Sequence, residues 1–202
     1  MEMFESRRYR VMERITNLML LNAAWVMASL PIVTVFPATA ALFATVRDLQ
    51  RDGEAGVLAS FGRHFRENFR QAMAVGLVWL GAGAVLLFDY LLLAQLPVRL
   101  QMPLFVIFSL GAVAFSLTSV YLFPVLVGYQ DDWRSVIRNS FFISISQLHT
   151  SLACLLVLFA AGFLAAQLPI TLLLTTSTTA YVVHAVCARG LGRVQGIRTS
   201  VI

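Results

Sequence analysis

Long stretches of the chain contain no Arg, Lys, Asp or Glu. Residues 15–46, 100–130 and 139–188 are free of these charged side chains, and residues 71–93 contain only Asp89. A bilayer core about 30 Å thick is crossed by about 20 apolar residues in a helix. The pattern therefore predicts an all-α membrane protein, a polytopic bundle whose chain crosses the bilayer several times.

The last uncharged stretch is too long for one membrane crossing. Its roughly 50 residues would extend about 75 Å as a single helix. We expect it to turn at Pro169, because proline interrupts a helix and disfavours helix at the residue before it. The tetrapeptide Ala-Gln-Leu-Pro at 166–169 also occurs at 94–97, and aromatic and arginine positions before it match at the same offset. We therefore predict a parallel internal repeat of helical hairpins.

The arginines indicate how the first uncharged stretch is arranged. If residues 15–46 crossed once, the arginines would be divided between both sides of the membrane. If this stretch enters and returns, every arginine except Arg99 lies on one side, as expected of cytoplasmic loops, which collect positive charge. Pro31 and Pro37 supply the break. The returning part, 37–50, has too short an apolar segment to cross alone, so we predict a re-entrant or short returning helix shielded by its neighbours.

The complete prediction is a single membrane domain with both termini in the cytoplasm. It has five transmembrane helices, one returning half-helix and two amphipathic interfacial helices. The predicted bounds are 9–30 for the first transmembrane helix, 37–50 for the half-helix, 57–70 for the first interfacial helix, 71–95 and 102–128 for the second and third transmembrane helices, 131–142 for the second interfacial helix, and 148–166 and 170–188 for the last two transmembrane helices.

The two interfacial helices are predicted from their amphipathic pattern. In 57–70, phenylalanines lie on one side of the helix and arginines on the other. In 131–142, Trp133, Val136 and Ile137 are expected on the apolar side, with the arginines facing away. We interpret these arginines as contacts for a cytoplasmic partner or anionic lipid; the alternative is that each helix only anchors the span that follows. The arginines are Arg63, Arg66, Arg70, Arg134 and Arg138.

Composition supports the membrane interpretation and limits the partners. The chain is 59% hydrophobic and 12% charged, whereas soluble proteins carry about twice that charged fraction. The basic residues number 15 against 10 acidic ones, giving a net charge of +5, and all of them are arginine. They are scattered over loops beside the membrane without a continuous patch, so no nucleic acid is expected as a partner.

Several short motifs are spread over most of the chain. They are Asn17-Leu18, Asn22 and Trp25, then 36–43 (FPATAALF), 65–71 (FRENFRQ), 121–126 (YLFPVL) and 138–140 (RNS). Together they resemble the YesL-like family of bacterial integral membrane proteins. The resemblance implies a multi-pass protein of the bacterial cytoplasmic membrane with no defined activity and no catalytic residues to transfer. Relatives in this family are often encoded beside carbohydrate uptake and polysaccharide-degradation systems, which implies an accessory role in sugar import and importer subunits as partners.

Polar residues within the predicted spans are candidates for two different roles. Such side chains often hydrogen-bond to neighbouring helices or to the preceding turn. They would instead line a path if the protein were a small solute transporter or channel. Asp89, the carboxylate within the predicted second transmembrane helix, could also reach the outer interface or pair with Arg99. The candidates are Asn17, Asn22, Thr39, Asp89, Thr175, Thr178 and His184.

No motif for catalysis or for a cofactor is found in the sequence. Gly-rich phosphate loops, HExxH, GxSxG and paired carboxylates are all missing, so we predict no catalytic residues, no metal ligands, no cofactor and no enzymatic activity. Small residues such as Gly81 and Gly83 permit close packing of helices either within one protomer or between protomers, so a homo-oligomer is one of two alternatives. The hypothesis is a non-enzymatic accessory membrane protein, with a solute transporter or channel as the alternative.

Overall fold

The structure, a computed structural model, describes residues 2–51, 56–128, 132–167 and 176–185. These residues contain helices and no strand, which confirms the all-α prediction for the described part of the chain. The helices are α1 (Glu2–Ser29), α2 (Val35–Arg51), α3 (Val57–Leu93), α4 (Val98–Gly128), α5 (Trp133–Ser146), α6 (Leu148–Gln167) and α7 (176–185), with a 3-10 turn (Ile32–Thr34) before α2.

Within the described ranges, three helical segments are long and apolar enough to cross a membrane. They are Ile32–Gln50, Val57–Leu93 and Arg99–Gly128. A fourth is obtained if Trp133–Ser146 and Leu148–Phe163 are counted as one span bent by 105°. The protein is therefore a helical membrane protein with three or four candidate spans. The predicted total of five transmembrane helices is not confirmed, and nearly half of the last predicted span lies outside the described residues.

Helix α1 covers the predicted first span but is not among those candidates. Glu13 and Arg14 restrict its uncharged part to about 15 residues, short of the 20 needed for a crossing. The chain then turns tightly, and the hydroxyl of Thr34 donates hydrogen bonds to the carbonyls of Ala28 at 2.6 Å and Pro31 at 2.7 Å. These bonds close α1 and α2 into a hairpin.

Helix α2, predicted as the returning half-helix, is the most completely buried helix of the structure. Ala38, Ala40, Ala41 and Ala44 have no exposed surface, and α1, α3 and α4 all pack against it. Small side chains let neighbouring helices approach closely. The predicted shielding of this helix is therefore present. Pro37 lies in its first turn, where a missing N–H requires no partner.

Helix α3 joins two elements that the sequence analysis separates. The predicted interfacial helix 57–70 and the span 71–95 form one continuous helix, Val57–Leu93, so the predicted boundary between them is wrong. Phe61 on the aromatic side is buried in the core with α2, not in lipid. The amphipathic pattern of residues 57–70 therefore reflects packing of this part of α3 against other helices of the protein.

The first Ala-Gln-Leu-Pro segment forms a turn, as predicted. The amide of Gln95 donates to the carbonyl of Leu92 at 3.0 Å, and α4 begins at Val98, directly after Pro97. The second copy extends beyond the described residues. Helices α5 and α6 meet at a sharp bend, whereas the position 72 residues earlier lies inside continuous α3. The two proposed repeat units thus differ in shape, and the internal repeat is not confirmed.

The close contact between α2 and α3 at Gly76 yields a stability prediction. A Cβ atom added there would overlap the ring of Phe36, whereas nothing lies within 4 Å of a Cβ added at Gly81 in the same helix. We expect Gly76→Ala to destabilise the protein by about 1–3 kcal/mol through overpacking. The control Gly81→Ala should be neutral or stabilising by up to about 1 kcal/mol. Thermal unfolding in detergent measures both, and equal effects would contradict the close approach of these helices.

Candidate functional site

A cluster of charged and polar side chains joins the end of α2 to the beginning of α3. His64 Nε2 lies 2.7 Å from Asp48 Oδ2, and the Ser60 hydroxyl donates to the same oxygen at 3.3 Å. Arg63 Nη2 is 3.6 Å from that oxygen, and Glu67 Oε2 is 3.3 Å from His64 Nδ1. The side chains of Asp48 and His64 are only 19% and 9% exposed. We call this group, together with Arg47, the α2–α3 charge cluster.

Arg47 extends the charge cluster to α4. Its Nη1 donates a hydrogen bond to the carbonyl of Val127, near the end of α4, and its Nε lies 3.7 Å from Asp48 Oδ1. The carbonyls of a helix's last turn have no partner within the helix. Arg47 therefore joins α2 to α4, and Asp48 beside it joins α2 to α3, so the charge cluster connects three helices at one end of the bundle.

The charge cluster contains serine, histidine and aspartate without the geometry of a catalytic triad. In a triad the histidine accepts the serine proton and the aspartate holds the far side of the imidazole. Here Ser60 and His64 both bond to one oxygen of Asp48. This arrangement suits a clamp between helices. No sequence motif singles out Asp48, Ser60 or His64. Asp48 pairs with residues 12 and 16 positions away, and contacts at these separations leave no local pattern in the sequence.

Asn22 connects α1 to α7. Its Oδ1 accepts a hydrogen bond from the backbone amide of Ser177 at 2.7 Å, and the hydroxyl of Ser177 donates to the carbonyl of Leu18 at 2.9 Å. Both Asn22 and Ser177 are buried. Asn17 lies in a separate small cavity of about 160 Å³ beside Arg14. Of the two roles considered for Asn22, the structure shows the interhelical hydrogen bond.

Two further candidates also bond between helices. Thr39 accepts a hydrogen bond from Trp25 Nε1 at 3.2 Å, which links α1 to α2. His184 Nδ1 lies 2.8 Å from Gln50 Oε1, and Gln50 Nε2 donates to the carbonyl of Tyr181 at 3.1 Å. The second pair of contacts fixes the orientation of the Gln50 amide. Together they attach α7 to the end of α2.

The remaining intramembrane candidates do not converge on a site. Asp89 is exposed on α3 and has no ion pair with Arg99, so the predicted pairing across the turn is wrong. Thr178 is exposed on α7. Thr175 lies outside the described residues. The predicted solute-path residues are therefore spread over the molecule.

A cavity of about 280 Å³ lies among α2, α4, α6 and α7. It includes the hydroxyls of Thr39 and Ser119, but these donate to the carbonyls of Val35 and Phe115 within their own helices. The cavity is slightly below the usual range for small-molecule pockets of about 300–1,000 Å³. Most of its lining is apolar: Leu42, Phe43, Val120, Phe123, Leu158, Ala161, Gly162, Ala180 and Val183, with Thr176 and Thr179 as its other polar residues.

The structure separates the five predicted docking arginines into three groups. Arg63 belongs to the charge cluster through Asp48. Arg66 and Arg70 are exposed on the outer side of α3. Arg134 and Arg138 line a groove beside α5.

The orientation of α5 differs from the prediction. Its buried side consists of Val136, Ser140 and Ser144, whereas the sequence pattern predicted an apolar side with Trp133 and Ile137 beside Val136. The serine hydroxyls donate to carbonyls of α5 itself at 2.8 Å, so they can be buried without another partner. Ile137 and the arginines consequently share the groove side, and the prediction that the arginines face away from it is wrong.

These features define the class of the protein before any comparison: a helical membrane protein built round a buried α2. A family model described as "Protein of unknown function, DUF624" matches residues 18–90. The chain is 32% identical over 137 residues to "Uncharacterized protein YesL" of Bacillus subtilis (strain 168), covering 66% of this chain and 64% of that relative. It is 29% identical over 167 residues to "Uncharacterized protein YteU" of the same organism, covering 81% and 75% respectively.

These matches confirm the resemblance to the YesL-like family that the sequence motifs indicated. It spans just under two thirds of the length of YesL. The family match over residues 18–90 contains all of α2 and the charge cluster. No solved structure matches the chain.

The charge cluster predicts a specific effect of removing one carboxylate charge. Asp48→Asn would remove the negative charge that lies beside His64, Arg63 and Arg47, so we expect a loss of about 1–3 kcal/mol of stability. Asp89→Asn makes the same change on the exposed side of α3 and should stay within about 0.5 kcal/mol. Thermal unfolding of both variants in detergent provides the comparison. Similar midpoints for the two variants would show that the cluster does not stabilise the fold.

Proposed function

We propose that the protein is a non-enzymatic accessory protein of the bacterial cytoplasmic membrane that binds a carbohydrate-importer subunit. The docking surface is the arginine stripe of α3, formed by Arg66 and Arg70. The carbohydrate part of this proposal rests on the family resemblance of the sequence motifs, because the matched relatives are named only as uncharacterised.

The exposed arginine stripe is the observation that carries the proposal. Arg66 and Arg70 are one turn apart, and no carboxylate of the described residues lies within 4 Å of either guanidinium. On another side of the same helix, Phe61 and His64 are buried against neighbouring helices. The packing of α3 therefore fixes the direction in which the arginine stripe points. The stripe suits an acidic surface, because the planar guanidinium group of arginine binds carboxylates through two parallel hydrogen bonds.

The proposed topology places this stripe in the cytoplasm. Arg14 and Leu49 line one small cavity, so the middle of α1 lies beside the end of α2, at the same end of the bundle as the charge cluster. The turn between α3 and α4 is at the far end of α3, and Arg99, at the beginning of α4, is the arginine beside it. The positive-inside rule then orients the arginine-rich end toward the cytoplasm. Five transmembrane helices and two hairpin repeats remain part of the proposal.

The alternative is a small solute transporter or channel. The cavity beside Thr39 supports it, since transporter sites often lie where helices are interrupted, and α1 and α2 are interrupted at Pro31. Its small volume and apolar lining favour the accessory role. Ala161→Leu would fill this cavity. The variant would abolish solute uptake by a transporter and leave the binding of an importer subunit unchanged.

Co-purification from the native host tests the docking surface. In mild detergent, we expect importer transmembrane subunits to be recovered with the wild-type protein. The double variant Arg66→Gln, Arg70→Gln should reduce their recovery about ten-fold or more, because interface charges are lost. Arg99→Gln at the opposite end is the control and should recover normal amounts. Undiminished recovery with the double variant, or an equal decrease with Arg99→Gln, would contradict the proposal.

A further inference from the structure

A long apolar groove lies between α3, α4 and α5, separate from the arginine stripe. Its volume is about 540 Å³, within the usual range for ligand pockets of about 300–1,000 Å³. Two arginines from the first half of α5 are its charged residues, and the others are apolar except for one threonine. The lining consists of Val78, Trp79, Ala114, Phe115, Thr118, Trp133, Arg134, Ile137, Arg138 and Phe141.

The floor of this groove is an aromatic pair with its polar atoms already bonded. Trp79 stacks on Phe115 with ring centroids 4.5 Å apart and an interplanar angle of 11°. Trp79 Nε1 donates to the hydroxyl of Ser119 at 2.9 Å, and Thr118 donates to the carbonyl of Ala114 at 2.7 Å. The floor therefore offers an occupant apolar contact and no free hydrogen-bonding group. A hydrocarbon chain fits this chemistry, whereas a sugar or a polar peptide does not.

The arginines supply charge at the side of the groove. Arg134 and Arg138 are one turn apart on α5, and the Arg134 guanidinium lies 4.9 Å from the centroid of the Trp133 ring. No carboxylate of the described residues lies within 4 Å of either guanidinium. Arginine binds phosphate groups through its planar fork of N–H donors, and these two arginines line the same groove one helical turn apart.

We propose that this groove binds one anionic phospholipid, with its phosphate between Arg134 and Arg138 and an acyl chain over Trp79 and Phe115. The charge of the arginines is complementary to an anionic headgroup, and the apolar floor is complementary to the chain. The surface beside the groove is also apolar, since Leu77 is 64% exposed on a candidate membrane span. An occupant thus enters from the lipid side. This inference does not rest on the proposed function, which uses other arginines.

Native mass spectrometry of purified, delipidated protein in detergent tests the headgroup contact. We expect one phosphatidylglycerol to be retained per chain, in preference to phosphatidylcholine with the same acyl chains. Arg134→Gln and Arg138→Gln should each weaken retention about five-fold, and together about thirty-fold. The matched control is Arg66→Gln with Arg70→Gln, which should retain the lipid. Equal retention of both lipids, or equal losses in the two double variants, would overturn the proposal.

A second pair of variants tests the acyl-chain contact with both arginines intact. Val78→Trp places a bulky ring in the groove, and Leu77→Trp adds the same ring to the neighbouring position outside its lining. We expect Val78→Trp to lose the lipid and Leu77→Trp to retain it. Unchanged retention in Val78→Trp would overturn the proposed chain site. Glycerol 3-phosphate is the soluble probe, and displacement of phosphatidylglycerol by it would assign the arginines to a free phosphate instead of a lipid.

Discussion

The burial of α2 is the constraint on which the rest of the structure depends. Helix α2 follows an interruption of the chain that leaves backbone groups without helical partners, and unpaired backbone groups are not tolerated in lipid. The neighbouring helices therefore have to enclose it. Its fully buried alanines, from Ala38 to Ala44, let α1, α3 and α4 approach its backbone. Gly76 of α3 lies against the ring of Phe36 of α2, and its missing side chain likewise lets these two helices approach closely.

The same constraint accounts for the charge cluster. Two charged residues follow the apolar part of α2 directly, and a partly buried charge is tolerated only when it is paired and hydrogen-bonded. Asp48 pairs with His64 and accepts a hydrogen bond from Ser60, both in α3. Arg47 donates a hydrogen bond to the carbonyl of Val127 in α4. These contacts also fix the rotation of α3, so that its phenylalanine side meets the core and its arginine stripe points outward. The orientation of the proposed docking surface is thus a consequence of how α2 ends.

The sequence predicted those features that depend on chain-local chemistry. The long uncharged stretches predicted a helical membrane protein. Pro31 and Pro37 predicted the interruption before α2, and Pro97 predicted the turn before α4. The continuity of α3 was not predictable in this way, because an apolar side has the same periodicity whether it meets lipid or protein. The rotation of α5 was missed because Ser140 and Ser144 count as polar, although their hydroxyls bond to their own helix.

The contacts of the candidate sites depend on distances along the chain that no local pattern records. His64 meets Asp48 across 16 positions, and Asn22 meets Ser177 across 155. Composition indicated that such polar groups would need partners, yet only the packing of the helices identifies which ones. The five docking arginines show the same limit: they are alike in sequence, and the fold assigns them to a clamp, an exposed stripe and a groove.

Thiol labelling from the two sides of the membrane tests most directly whether α2 returns to the side from which α1 enters. Single cysteines at Glu13, Gly62 and Arg99, in a protein whose Cys154 and Cys187 are replaced by serine, are exposed to a membrane-impermeant reagent in intact cells and in inverted vesicles. The account predicts that positions 13 and 62 react from the same side and position 99 from the opposite side. Labelling of positions 13 and 62 from opposite sides would show that α1 and α2 together cross the membrane only once, and would contradict the account.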